Sequence, residues 1–246
     1  MQPIGKTELI KANMKIDEYF DKVYLLNLNR RKDRLKTSTK KLEYCEIEFE
    51  RFAAIDGSVL QNVWETFNSK PHNLQNPNYL ACAISHLSIY KDALDNGYSK
   101  ILIIEDDCSI RKRANAEFSN IINNLPDWEL LYFGFIPLTD DCSQWTYNEF
   151  NISINNIAQS KNFWGLYGYG ITSDLMQEVV ERYNRDFSME LDRFFVNEIQ
   201  PRGKSYGIVP QIFAAEDGYS DNSLIIERGM MERSVDRRFG SLTDYL

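Results

Sequence analysis

The feature that most restricts the fold is an unbroken apolar run, Ile101-Leu-Ile-Ile104, that passes directly into three carboxylates, Glu105-Asp106-Asp107. A short run of this kind, with Asn96-Gly97 before it and charge after it, reads as a strand buried on both faces. The rest of the chain keeps the theme. Lys22 to Leu28 is a second apolar run, followed by a charged helix to about Glu43. Alternation over 46–55 predicts a strand that ends at the Asp56-Gly57 turn. Asn78 is the expected cap of a helix from Tyr79 to Asp95, which Asn96-Gly97 stops. Further strands are expected at Trp128–Phe133, Gly165–Thr172 and 205–209, with helices at about 114–124, 174–183 and 189–199. Residues 7–20 suggest a weak helical lead-in, and 58–78 and 137–162 read as irregular excursions.

Alternating helices and apolar strands predict an α/β fold with a mainly parallel sheet and helices on both faces. In such sheets the ligand sits beyond the carboxyl ends of the strands. Attention therefore falls on what those ends carry.

Glu105, Asp106 and Asp107 repel one another at the end of a buried strand unless water or a cation compensates them. They read either as an acidic turn or as hard oxygen ligands for Mg²⁺ or Mn²⁺. Arg30-Arg31-Lys32-Asp33-Arg34 opens the helix after the first strand. It is either a solvated basic face or an anion site at a helix N-terminus, with Arg34 placed to meet a phosphate or base. His86, in Ala81-Cys-Ala-Ile-Ser-His86, is either a structural histidine or a site residue. His72 and His86 are the two histidines of the chain, too few for a multi-histidine metal centre. No nucleophile elbow, Walker loop or GxGxxG run is present.

The net charge of −8 argues against a protein that coats nucleic acid or is held to an anionic membrane by charge. Cys45, Cys82, Cys108 and Cys142 are widely spaced, a pattern that suits a reducing compartment. With no apolar run of signal-peptide or membrane-span length, the expected location is cytoplasmic, at most peripherally attached to a membrane. The expected organisation is a lead-in over 1–21, one domain over 22–222 and a tail over 223–246 that packs on it.

Taken in order, several segments resemble glycosyltransferase family 25, the group of lipooligosaccharide and collagen galactosyltransferases. They are Val23-Tyr-Leu-Leu-Asn-Leu-Asn29 with Arg31, Asp33 and Arg34, then Phe52-Ala-Ala-Ile-Asp-Gly57. Ala83-Ile-Ser-His86, Ile103-Ile-Glu-Asp-Asp107, Gly168-Tyr-Gly-Ile-Thr172 and Ser220-Asp221 follow. The resemblance implies a GT-A-like nucleotide-binding fold that uses Mn²⁺ or Mg²⁺ and a UDP-sugar donor. It implies transfer of a hexose, galactose or else glucose, to a glycan or protein hydroxyl with inversion. By the same resemblance Asp107, with Glu105, is the metal ligand. Asn27, Arg34, Ser85, His86, Glu105 and Asp106 line the donor site, and Asp192 is the base. Trp164, Tyr167 and Tyr169 are candidates for stacking on sugar. The late histidine ligand of many GT-A enzymes is missing here, leaving Asp217, Asp221 or water for its position. The competing readings are a metal-dependent nucleotidyltransferase or phosphohydrolase, and a silent sugar-nucleotide-binding module.

Overall fold

The computed structural model describes residues 14–62, 64, 74, 76–141, 143–144, 157–235 and 241–246. The start of the lead-in, Cys142, about half of each excursion at 58–78 and 137–162, and 236–240 of the tail lie outside the described residues. The strands are β1 (Lys22–Leu28), β2 (Glu50–Ala54), β3 (Lys100–Glu105), β4 (Cys108–Ile110) and β5 (Leu130–Tyr132). They continue with β6 (Ile136–Pro137), β7 (Ile157–Gln159), β8 (Phe163–Trp164), β9 (Gly168–Thr172) and β10 (Ser205–Ile208). Three short ones, β11 (Phe213–Ala215), β12 (Gly218–Tyr219) and β13 (Ile226–Glu227), close the series. The α-helices used below are α1 (Ile16–Tyr19), α2 (Lys32–Tyr44), α3 (Pro77–Asp95) and α4 (Ala114–Ile121). After them come α5 (Ser173–Arg185), α6 (Leu191–Phe194) and α7 (Met230–Ser234).

Seven strands form one sheet in the order β2-β1-β3-β9-β5-β10-β7. β2, β1 and β3 run parallel, as do β5 and β10, while β9 and the edge strand β7 run the other way. The sheet is thus mixed and mainly parallel. Side chains that alternate along β1 and β3 enter two separate cores, as the period of two requires. Tyr24, Leu26, Ile101 and Ile103 pack against residues of α3, α5 and α6, including Tyr90, Met176 and Phe194. Val23, Leu25, Leu102 and Ile104 pack on the other face with residues of α1, α2 and α4, including Ile16, Leu42 and Phe118. Ile101 to Ile104 are each at most 1% exposed, so each contributes roughly 1.5–3 kcal/mol of apolar burial.

Local corrections to the expected boundaries have physical causes. Asn76 caps α3 in place of Asn78: its side chain accepts the Asn78 N–H at 2.8 Å. Pro77 fits the first helical position because it has no N–H to leave unsatisfied. The second strand starts at Glu50, later than the alternation implied, because Glu46 adopts φ 52° and Ile47 N–H bonds Leu42 O to finish α2. The segment 189–199 divides into α6 and a π-helical turn at Phe195–Ile199. Among the described residues no helix is long and apolar enough to cross a membrane.

Registry brings the interesting ends together. Leu26 pairs with Glu105 in the parallel β1–β3 ladder, so Asn27 and Asp106 follow at the same edge. Gly168 opposes Ile104 in antiparallel β9, and Tyr167 just before it accepts the Glu105 N–H at 2.9 Å. β4 then pairs with β11, which places Glu216 beside Asp107: the Glu216 N–H bonds Asp107 O at 3.0 Å.

Candidate active site

At this edge lies a cleft of about 430 Å³, a size usual for small-molecule sites. Glu105 and Asp107, where β3 ends, form its floor, and Arg31, Arg34, Glu190 and Asp192 also line it. The β12–β13 hairpin contributes Gly218 and Tyr219 to the lining. A smaller cavity of about 80 Å³ adjoins it, bordered by Ser85, Asp106 and the same Arg34 and Asp107.

The three adjacent carboxylates part company once folded. Glu105 ends β3 and receives a hydrogen bond from the His86 ring at 3.0 Å. Asp106 turns away from the main cleft. It is 9% exposed, accepts from Asn27 Nδ2 and Arg34, and its main-chain oxygen accepts from Ser38 Oγ at 2.9 Å. Burial raises its pKa against the pull of Asn27 and Arg34. Asp107 lines the cleft, with 36% of its side-chain surface exposed. Surrounding protein, and secondly the charge of Glu105, push its pKa up to about 7, against the opposing Arg34 guanidinium 3.1 Å away.

The basic segment serves these carboxylates. Arg34 donates to Asp106 at 3.2 Å, to Asp107 and to the Tyr219 carbonyl. Asp221, on the hairpin, is the shared partner of Arg30 at 2.7 Å and Arg31 at 2.5 Å, with Arg34 at 3.5 Å. Asn27 is 1% exposed and holds Asp106 and the Arg31 carbonyl. It supports the floor from beneath rather than lining the cleft. Ser85 is likewise tied internally, accepting the Ile55 N–H at 2.9 Å and donating to Ala81 O at 2.7 Å.

Asp192 sits in the first turn of α6 and accepts the N–H of Arg193 at 2.8 Å. Burial, then repulsion from Glu190 and Glu105, raises its pKa to about 6. A carboxylate with its pKa at about 6 is ionised at neutral pH and is a stronger base than an exposed one. His86 has both ring nitrogens engaged by Tyr169 and Glu105. Its Nε2, the Cys82 thiol and a Glu105 oxygen lie within 4.8 Å of one another.

Two expectations are corrected. Tyr169 is 0% exposed, its hydroxyl between His86 and Tyr90, so it presents no face to a sugar; Tyr167 borders the cleft but is only 5% exposed, its hydroxyl donating to Gln211. Asp217 is spent on the start of α7, accepting N–H groups from Gly229, Met230 and Met231, and Asp221 is bound to arginines. Neither has an uncommitted carboxylate for the position of a late histidine. Glu190, Glu216 and Glu227 are the cleft acids that the sequence did not single out. Glu190 lies two residues before Asp192, a pairing visible in the sequence, whereas the approach of Glu216 to Asp107 depends on β4–β11 pairing.

The hard carboxylate oxygens of Glu105 and Asp107, both lining the cleft, are of the type that suits Mg²⁺ or Mn²⁺.

Procollagen galactosyltransferase 2 of Homo sapiens is 31% identical over 133 residues, covering 47% of this chain and 21% of that protein. A glycosyltransferase 25 family member of Anopheles gambiae is 24% identical over 167 residues, covering 61% of this chain and 27% of its own length. The chain therefore spans about a fifth to a quarter of the length of these relatives. A solved glycosyltransferase involved in the glycosylation of the major capsid of PBCV-1 aligns with TM-score 0.45 and 12% identity, over 82% of this chain and 96% of that one. The profile of glycosyltransferase family 25 (LPS biosynthesis protein) matches residues 20–195, most of the chain, and the chain belongs to that family.

Proposed function

We propose that the chain transfers a hexose from a UDP-sugar to a hydroxyl of a glycan or protein acceptor, with inversion, using Mn²⁺ or Mg²⁺ at Glu105 and Asp107. The observation that carries this reading is the meeting of Glu105, Asp107, Arg34 and Asp192 around one cleft. Galactose is the favoured sugar because the human relative is named a galactosyltransferase, and glucose is next. A glycan acceptor follows from the family's description as an LPS biosynthesis protein, a protein acceptor from the procollagen relative.

When bound, the cation offsets charge on the departing diphosphate. Arg34, and Arg31 beside it, offer guanidinium donors to the same phosphates, a role in which bidentate geometry counts. Asp192 accepts the acceptor hydroxyl proton as that oxygen bonds to the anomeric carbon. The bond from that carbon to the diphosphate breaks on the opposite face, and UDP leaves with the electron pair. Asn27, Asp106 and Ser85 keep the floor in register from behind.

The test is release of UDP from a panel of UDP-hexoses with and without Mn²⁺, followed by identification of the glycosylated acceptor. Metal-dependent UDP release coupled to a new glycosidic product is the expected result. Nucleotide consumed without sugar transfer would instead support a phosphohydrolase, and binding without turnover a silent module.

A further inference from the structure

We propose that His86 is a positioning residue: a buried chain of hydrogen bonds, Tyr90 to Tyr169 to His86, fixes the Glu105 carboxylate at the cleft floor. The inference rests on the reading of Glu105 as part of the cation-binding floor.

Directions along the chain follow from donor and acceptor chemistry. His86 is 0% exposed, with Nε2 3.0 Å from Glu105 Oε1 and Nδ1 2.8 Å from Tyr169 Oη. A carboxylate only accepts, so Nε2 carries the hydrogen. In the neutral ring Nδ1 is then the acceptor, and the Tyr169 hydroxyl donates to it. The Tyr169 oxygen in turn accepts from Tyr90, whose hydroxyl lies 2.5 Å away. Both tyrosines are 0% exposed, so no water competes for these groups. Each polar atom has one role, and the sequence of donors ends on the carboxylate.

Glu105 needs such a hold. Its long side chain has several rotamers and is costly to order. Glu105 and Asp107 line the same cleft two residues apart, so like charge acts between them. The His86 donor opposes this by occupying Oε1, which leaves Oε2 for a cation. The main chain is fixed separately, by the Glu105 N–H bond to Tyr167 O at 2.9 Å. The relay joins α3 to β9 and β3, so the carboxylate is anchored to the sheet and a packed helix rather than to a loop.

The test compares Mn²⁺ binding, titrated by the loss of the free-ion paramagnetic signal, in wild type, His86→Leu, His86→Gln and Tyr169→Phe. Glutamine can still donate an N–H toward Glu105, whereas leucine cannot. His86→Leu should weaken Mn²⁺ binding by roughly 10–100-fold, with His86→Gln restoring most of the loss. Tyr169→Phe should fall between them, and it carries the test if His86→Leu does not fold. In folded variants the loss should appear in the Mn²⁺ concentration needed for half-maximal rate more than in kcat. Wild-type Mn²⁺ affinity in His86→Leu or Tyr169→Phe overturns the proposal, as does equal loss in His86→Gln and His86→Leu. Wild-type protein that binds no Mn²⁺ overturns the metal reading itself, and this proposal with it.

Discussion

The guanidinium of Arg34 lies 3.1 Å from the carboxylate of Asp107, joining the helix after β1 to the turn after β3 across 73 positions of sequence. The contact sets the chemical character of the cleft, because a cation already faces the acid proposed to bind metal. Arg34 tempers Asp107 without neutralising it: burial and Glu105 still leave the carboxyl at about 7.

Replacing Asp107 with Asn should therefore remove a ligand without harming the fold. Mn²⁺ should raise the melting temperature of wild-type protein by preferential binding and leave Asp107→Asn unchanged, while the metal-free melting temperature of the variant stays at or above that of wild type. Differential scanning fluorimetry decides it. A full Mn²⁺ shift in the variant would remove Asp107 from the metal site.

The base assignment predicts a pH dependence. Asp192 must be ionised to accept a proton, and its pKa is raised to about 6. The rate at saturating acceptor should thus be low below that value, rise as pH passes through about 6, and level off above it. Asp192→Asn should lose roughly 10²–10⁴-fold in kcat with donor affinity preserved. Steady-state kinetics from pH 5 to 8, with calorimetric donor titration, gives the answer, and unchanged turnover in the variant rules Asp192 out.

Asp221 binds three arginines from the hairpin side, with its side chain only 10% exposed. Asp221→Ala leaves those guanidinium groups facing one another, and removal of one partner from such a cluster costs about 3 kcal/mol. Urea unfolding should register that loss, and hydrogen exchange should rise most over 216–229. Protection unchanged in that segment would show the hairpin is held by other contacts.

Gly165 has φ +93°, a left-handed conformation, and an added Cβ would stand 2.7 Å from the Tyr167 ring. Gly165→Ala should cost about 1–3 kcal/mol through backbone strain and crowding of the Tyr167 ring. A lower melting temperature is expected; one equal to wild type would show that the turn absorbs the added methyl.

Much of this was legible in the linear chain. The run Ile101–Ile104 announces a strand buried on both faces, and its passage into Glu105-Asp106-Asp107 puts charge where an α/β sheet exposes its strand ends. The apolar faces of α3 and α5 also follow from helical spacing, because burial demands that pattern whatever the partner. The antiparallel entry of β9 between β3 and β5 has no counterpart in a local pattern, since an apolar strand reads the same in either direction.

The division is sharpest within the acidic triplet. Sequence alone determined that three carboxylates end the strand and that arginines open the helix after β1. Tertiary structure decided what each one does: β1–β3 registry gives Asp106 to Asn27 and Arg34, the buried His86 claims one oxygen of Glu105, and β4–β11 pairing brings Glu216 to Asp107. The reason is physical. Residue type fixes which charges and hydrogen-bonding groups are available, but their roles depend on distances between segments far apart in the chain, and packing alone sets those.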